Sequence, residues 1–404
     1  MKAYRNLSQI LTLAPARAKD GRNLKPEDAG ILENAAIVFD ENEIKWVGRE
    51  SEFPANYKNV TSFDLTGHVL TPGITDSHTH LLFGGNRARE YAQRLNGVDY
   101  QEIAKLGGGI LHTMNRTLAA SDADLLQLGI QRIERLHSLG VRTVEMKSGY
   151  ALTLEGELRL MRLAAKLKAH FIGRMTIRST YMGAHAVPSN FTSSKQFVDE
   201  IVLPTLKQAH VEKLVDAVDV FFEQGYFDRA DTELIFKTAQ ALGLAIKIHA
   251  DEFNDNGGAS LAAAHHALSA DHLLRISDAG IKSLAQSSTV ATLLPGTAFF
   301  LGKELPRARA MLDAGCKVAI ASDYNPGSSH VDNLLLVASI AAPSLKLNFT
   351  ELWAAITLNS SAALGLTNQG SLEPERTPSM TLFRTPDLAE ITYNWGVSLV
   401  VPSP

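Results

Sequence analysis

Residues 68–80 read HVLTPGITDSHTH, an apolar run that turns polar and closes on two histidines one residue apart. Successive side chains of an extended segment point to opposite faces, so His78 and His80, at i and i+2, face the same way. Seven later stretches share this build, a short apolar run with a mostly ionisable end. They are VRTVEMKSG (141–149), MTIRSTYMGAH (175–185), AVDVFFEQG (217–225), LAIKIHADE (244–252), LSADH (268–272), STVATLLPG (288–296) and KVAIASD (317–323). Helical text lies between them. SDADLLQLGIQRIERLHSLG (121–140) opens with Ser121 as N-cap, carries Asp122 and Asp124 in its first turn, sets Leu125, Leu128, Leu136 and Leu139 on an apolar stripe and stops at Gly140. RARAMLDAG repeats that ending at Gly315. Eight strands alternating with helices predict an α/β fold, a (β/α)8 TIM-like barrel.

Outside the barrel the texture changes. From Met1 to Thr66 the pieces are short and β-rich, AAIVFD and EIKWVG among them, with charged or glycine-bearing turns between. After Leu366 the text LEPERTPSMTLFRTPDLAEITYNWG is proline-punctuated and strand-like, with no helical period. The expectation is a barrel over 67–366 and a small β-sandwich accessory domain built from both chain ends, 1–66 and 367–404.

Composition narrows the function. With 404 residues, 45% hydrophobic and 20% charged, the chain can bury a large core. A net charge of -4 and the lack of a dense Lys/Arg run argue against nucleic acid or an anionic membrane as partner and favour a small molecule. The single cysteine, Cys316, can form neither an internal disulfide nor a multi-cysteine metal site, which suits the cytoplasm, and its neighbourhood LDAGCKVAI reads as inert packing. The opening MKAYRNLSQILTLAPARA has too short an apolar run for a signal peptide and reads as a first strand. No stretch is apolar for 18 residues, so no membrane span is expected.

In such a barrel, reactive groups gather at the C-terminal ends of the strands. Here the eight ends fall near His78 and His80, Lys147, His185, Glu223, His249, His272, Pro295 and Asp323. Two histidines on one face can share an ion, His249 adds a third ligand and Asp323 a fourth, which leaves a position for water, as in catalytic metal sites. His185 and His272 each end a strand and are candidates for further roles. The other histidines read as bland: His265 and His266 as helix surface, His112, His137, His170 and His210 as solvated, His68 on the wrong side of strand one, and His330 without a nameable partner. The glycines of KLGGGILHT lack P-loop spacing and read as a flexible loop near the mouth of the site.

These residues carry a resemblance. The HxH after TPGITDS, with a later His, His and Asp at strand ends, resembles the amidohydrolase superfamily. The phrases DSHTHLLFGGNRAREY, GGGILHT, EMKSGYALT, YMGAHAVP, KIHADEFNDNGGA, SADHL, LLPGTAFFLGK and ASDYNPGSS, in order over about residues 65 to 365, are similar to the imidazolonepropionase family, the cyclic amidohydrolases of histidine degradation. The resemblance implies zinc or iron held by His78, His80, His249 and Asp323. It also implies substrate binding by Arg87, Tyr150, His185 and Glu252 and by the loop residues Asn325, Gly327 and Ser328, help in catalysis from His272, and a homodimer. The chain departs from the family at RTPSMTLF and in its short tail to Pro404, which bears on the last accessory strands and not on the barrel site.

The implied reaction opens 4-imidazolone-5-propanoate with water to give N-formimidoyl-L-glutamate. A bound divalent ion makes water nucleophilic near neutral pH, and Asp323 and His272 are placed to take and pass its proton. Glu252 is expected to hydrogen-bond or protonate the ring nitrogen on the leaving side. A propionate needs a cation, and the guanidinium of Arg87, seven residues after His80, can pair with it bidentately. Two rivals remain: another cyclic amidohydrolase or a deaminase on the same scaffold, and a metal-binding barrel that has lost catalysis. An uncharged nucleobase gives Arg87 nothing to neutralise, and every position expected to react carries a reactive group.

Overall fold

The computed structural model describes residues 1–98, 102–103 and 108–404. Among these, the strands in chain order are β1 (Lys2–Leu11), β2 (Ile31–Phe39), β3 (Ile44–Arg49), β4 (Thr61–Asp64), β5 (Val69–Pro72), β6 (Ile74–Asp76), β7 (Val141–Lys147), β8 (Thr176–Ala184), β9 (Ala217–Phe222), β10 (Ala245–Ala250), β11 (Ser269–His272), β12 (Val290–Leu293), β13 (Val318–Ile320), β14 (Met380–Phe383) and β15 (Val400–Val401). β6 to β13 form one sheet in strict sequence order, each parallel to its neighbours. The ring closes between its two ends. Thr79 bridges Tyr324 in parallel, the His80 amide donates to the Tyr324 carbonyl at 3.0 Å, and the Asp323 amide donates to the His78 carbonyl at 3.0 Å. Buried Asp76 reinforces this seam by accepting from the Ser322 amide and hydroxyl at 3.0 and 2.6 Å. The expected eight-stranded barrel is therefore present, with seven of its strands where the sequence reading put them and the first one shorter.

The second sheet joins the two chain ends in the order β15-β14-β5-β1-β2-β3, with β4 also paired to β1. β1 bends at a bulge between Tyr4 and Leu7, where Asn6 adopts φ 57°. On either side of this bulge β1 pairs in parallel with β4 and then with β5. Ala35, Ile37 and Phe39 of β2, two apart, meet Tyr4, Leu70 and Leu382 in a core separate from that of the barrel.

Three expectations change in detail. Residues 68–78 are two strands: β5 lies in the end sheet and β6 in the barrel, separated by Gly73, where a Cβ would fall 2.4 Å from the Ser379 hydroxyl and 2.8 Å from the Arg142 side chain. The buried stripe of the helix Asp122–Ser138 is Leu125, Gly129, Ile133 and Leu136, while Leu128 is only half-buried, since positions four apart stack on one face. The C-terminal segment holds a short helix, Leu388–Tyr393, capped by the Asp387 side chain, where none was expected. Despite the unusual RTPSMTLF text, β14 forms and pairs antiparallel with β5 and β15.

Candidate metal centre

The strand ends converge. His78 and His80 lie just past β6, His249 lies on β10, His272 ends β11 and Asp323 follows β13, and all five are at least nine-tenths buried. Nε2 of His249 stands 3.4 Å from Nε2 of His80, while Oδ1 of Asp323 is 3.5 Å from Nε2 of His78 and 3.6 Å from Nε2 of His80. Side chains bonded at about 2.0–2.2 Å to one tetrahedral ion stand roughly 3.4 Å apart, so these separations fit a single cation. His272 forms an overlapping group with His78 and Asp323. Its Nδ1 lies 3.6 Å from Oε1 of Glu252.

Hydrogen bonding supports the same ligand set. Nδ1 of His78 faces Asp271 at 2.6 Å and Nδ1 of His249 faces Asp219 at 3.1 Å, so the proton sits on Nδ1 and each Nε2 lone pair is aimed inward. Nε2 of His78 is buried with no hydrogen-bond partner among the described residues. Burial, then the neighbouring cationic groups, pushes His78 and His80 well below the usual imidazole range, which favours the neutral form that a metal ligand needs. Burial pushes Asp323 up to about 6 against hydrogen bonds from Thr297 and Asn325. His272 and Asp323 both hold left-handed backbone, φ 78° and 52°, a cost that non-glycine residues bear chiefly at functional sites.

A cleft opens over this centre. Its wall includes His80, Arg87, Tyr150, His185, Glu252 and Asn325, with Ser328 and Ile110 beside them. Arg87 is buried, and its guanidinium pairs with Glu90, Nη2 to Oε2 at 2.7 Å. Gly327 is not in the wall. It lies behind Arg87, where a Cβ would fall 1.8 Å from Nη1. The chain reaches Arg87 through Gly84, whose Cβ would strike the Arg116 carbonyl at 2.7 Å, and through Gly85 at φ 72°. His185 stacks on His80 at 5.1 Å and bonds the Gly149 carbonyl through Nδ1 at 2.9 Å. Burial, then the charge of Asp323 and Glu223, pushes Glu252 well above the carboxylate range.

Other expectations resolve as follows. His170, His266 and His330 are exposed, and His68, His112, His137, His210 and His265 are half-buried, so none joins the centre. His265 and His266 follow the helix Gly258–Ala264 instead of lying within it, and His330 has a partner after all, stacking on Tyr324 at 5.2 Å. Of the loop expected at the glycine run, 105–107 lies outside the described residues, while Gly108 caps and Gly109 begins the helix Gly109–Ala119. Cys316 is fully buried against the Ile281 carbonyl. Sequence reasoning passed over Thr297, whose hydroxyl donates to Asp323 at 2.6 Å, and the carboxylates Asp219 and Asp271 behind the histidines. A polar residue inside an apolar strand was the signal available for the last two.

The chain is 43% identical over 373 residues to an imidazolonepropionase from Bdellovibrio bacteriovorus, covering 91% of this chain and 87% of the relative. It is 38% identical over 397 residues to one from Bacillus velezensis, covering 98% and 93%. The chain belongs to the imidazolonepropionase family. Members from Paracoccus denitrificans and other bacteria match it over comparable lengths, at 40% identity in that case over 91% of this chain and 92% of the relative. No protein-family model matches the chain. Among solved structures, the fold is similar to a 5-methylcytosine deaminase from Klebsiella pneumoniae liganded with phosphonocytosine, with TM-score 0.74 and 15% identity over 98% of this chain and 95% of that one. It is also similar to an atrazine chlorohydrolase from Arthrobacter aurescens complexed with zinc, with TM-score 0.66 and 16% identity over 95% and 87%. These two likenesses concern the fold alone. No helix of the described residues is long and apolar enough to cross a membrane.

Proposed function

We propose that this chain hydrolyses 4-imidazolone-5-propanoate to N-formimidoyl-L-glutamate. The bond between the ring carbonyl carbon and its amide nitrogen breaks, the carbon gains the oxygen of water and the nitrogen gains a proton. The observation that carries the reading is the meeting of His78, His80, His249 and Asp323 at 3.4–3.6 Å beneath a cleft that also holds a buried arginine. In this reading those four residues hold one divalent ion, zinc or iron, both of which suit imidazole and carboxylate ligands. Such an ion, when bound, makes water a competent nucleophile near neutral pH.

The chain's own residues do the rest. Arg87 binds the substrate propionate, and Tyr150, His185, Asn325 and Ser328 orient the ring, with Gly327 shaping the loop. Asp323 accepts a proton at its carboxylate and His272, grouped with it and His78, passes it on. Glu252, whose burial and acidic neighbours favour its protonated form, donates to the leaving ring nitrogen. The barrel expected over 67–366 is the catalytic unit and 1–66 with 367–404 the accessory one, with β5 (Val69–Pro72) pairing in the accessory sheet. The protein acts in the cytoplasm as a homodimer.

The deaminase reading loses ground because an uncharged base would leave Arg87 without a charge to pair. Metal analysis together with an assay on imidazolone propionate tests the proposal. One ion per chain and ring opening are expected. Metal-loaded protein that leaves this substrate intact, or prefers a neutral nucleobase, would overturn it.

A further inference from the structure

Below the candidate metal centre the barrel is not filled by aliphatic side chains. Glu145 and Lys147 of β7, Asp219 of β9, Lys247 of β10 and Asp271 of β11 are all fully buried there, where barrels of this kind mostly carry branched apolar residues. The contacts of this layer are ordered. Asp219 is held from both sides, Oδ1 by Nδ1 of His249 at 3.1 Å and Oδ2 by Nζ of Lys147. Lys147 also reaches Glu145 at 2.8 Å and the Asp271 oxygen that holds His78 at 3.8 Å. Lys247 meets Glu145 at 2.8 Å and Asp271 at 3.6 Å, and donates to the carbonyl of Ser77, the residue before His78, at 2.7 Å.

A histidine that binds a metal through Nε2 must keep its proton on Nδ1 and its ring at a fixed angle, and the group that accepts from Nδ1 sets both. A carboxylate held only by that histidine is free to swing. One pinned on its far oxygen is not. We infer that Lys147 and Asp219 form a positioning relay for the metal ligand His249, and that Lys147, by reaching Asp271 as well, ties His249 and His78 to one common anchor. Neither residue lines the cleft. The inference rests on the metal reading given above.

The test is zinc affinity of the metal-free protein, measured by chelator competition, with the visible absorption of the cobalt-substituted form as a second readout of ligand geometry. Asp219→Asn preserves size and an accepting oxygen while removing the charge that pins it to Lys147. It should fold, bind zinc about ten- to a hundredfold more weakly, and change the cobalt spectrum. Lys147→Met should give a similar loss, and the double variant should lose no more than the worse single one, because both act through a single relay. Should Lys147→Met fail to fold, Asp219→Asn decides alone. Folded Asp219→Asn protein with zinc affinity within twofold of wild type and an unchanged cobalt spectrum overturns the inference and leaves the metal reading standing. Wild-type protein that takes up no divalent ion overturns both.

Discussion

Arg87 and Gly327 show how closely one residue's role depends on another's lack of a side chain. Since a Cβ at 327 would overlap the guanidinium of Arg87, Gly327→Ala should displace Arg87 without disturbing the barrel. Loss of one charged hydrogen bond is worth about 1.5–3 kcal/mol, so KM for the carboxylate substrate should rise roughly ten- to a hundredfold, with metal content kept. Arg87→Ala should do at least as much, whereas His249→Ala should lose metal and activity together. Steady-state kinetics with metal analysis separates these outcomes, and an Arg87→Ala enzyme with unchanged kcat/KM would refute the clamp. Cys316 makes a different forecast. Burial pushes its thiol up to about 11, so at pH 8 it stays protonated and shielded, and a maleimide should label it only after unfolding. At this scale the four candidate ligands were legible because each ends an apolar run with an ionisable side chain. Asp219 and Asp271 were not, since a carboxylate inside a strand gives no sign of whether it faces a histidine or a helix.

Among elements, the strands were easier to read than their partners. A barrel strand is apolar along its length and changes chemistry where the chain leaves it, so β7 to β13 could be placed from composition alone. The split at Pro72 and Gly73 escaped notice because β5 and β6 are both apolar and the step between sheets takes a single residue. The helix Leu388–Tyr393 was missed for the opposite reason, having too few residues to show a period. Caps were more informative. Ser121 accepts from the Asp124 amide at 3.1 Å as its position predicts. Ser121→Ala should therefore cost about 1 kcal/mol in thermal or urea unfolding and leave kcat/KM unchanged; a variant as stable as wild type would show that the cap contributes nothing.

Across the whole molecule the two sheets are fastened together. The Thr381 hydroxyl donates to the Gly140 carbonyl at 2.7 Å, and Arg142, next to the start of β7, donates to the Met380 carbonyl at 3.1 Å. With β5 and β6 only one residue apart, the two sheets are expected to unfold together. Calorimetry should show one transition that moves upward when zinc is added, because an ion bound only to the native state stabilises it by mass action; two separate transitions would contradict this. The union of the chain ends was foreseeable from their shared β texture, but the pairing of β14 with β5 was not, since nothing local in either segment names its neighbour. That pairing bears on biosynthesis. One flank of β5 stays bare until Met380–Phe383 leaves the ribosome, long after the barrel strands have emerged. A nascent chain paused before that point carries an open strand edge, the kind of surface that chaperones shield and that invites aggregation.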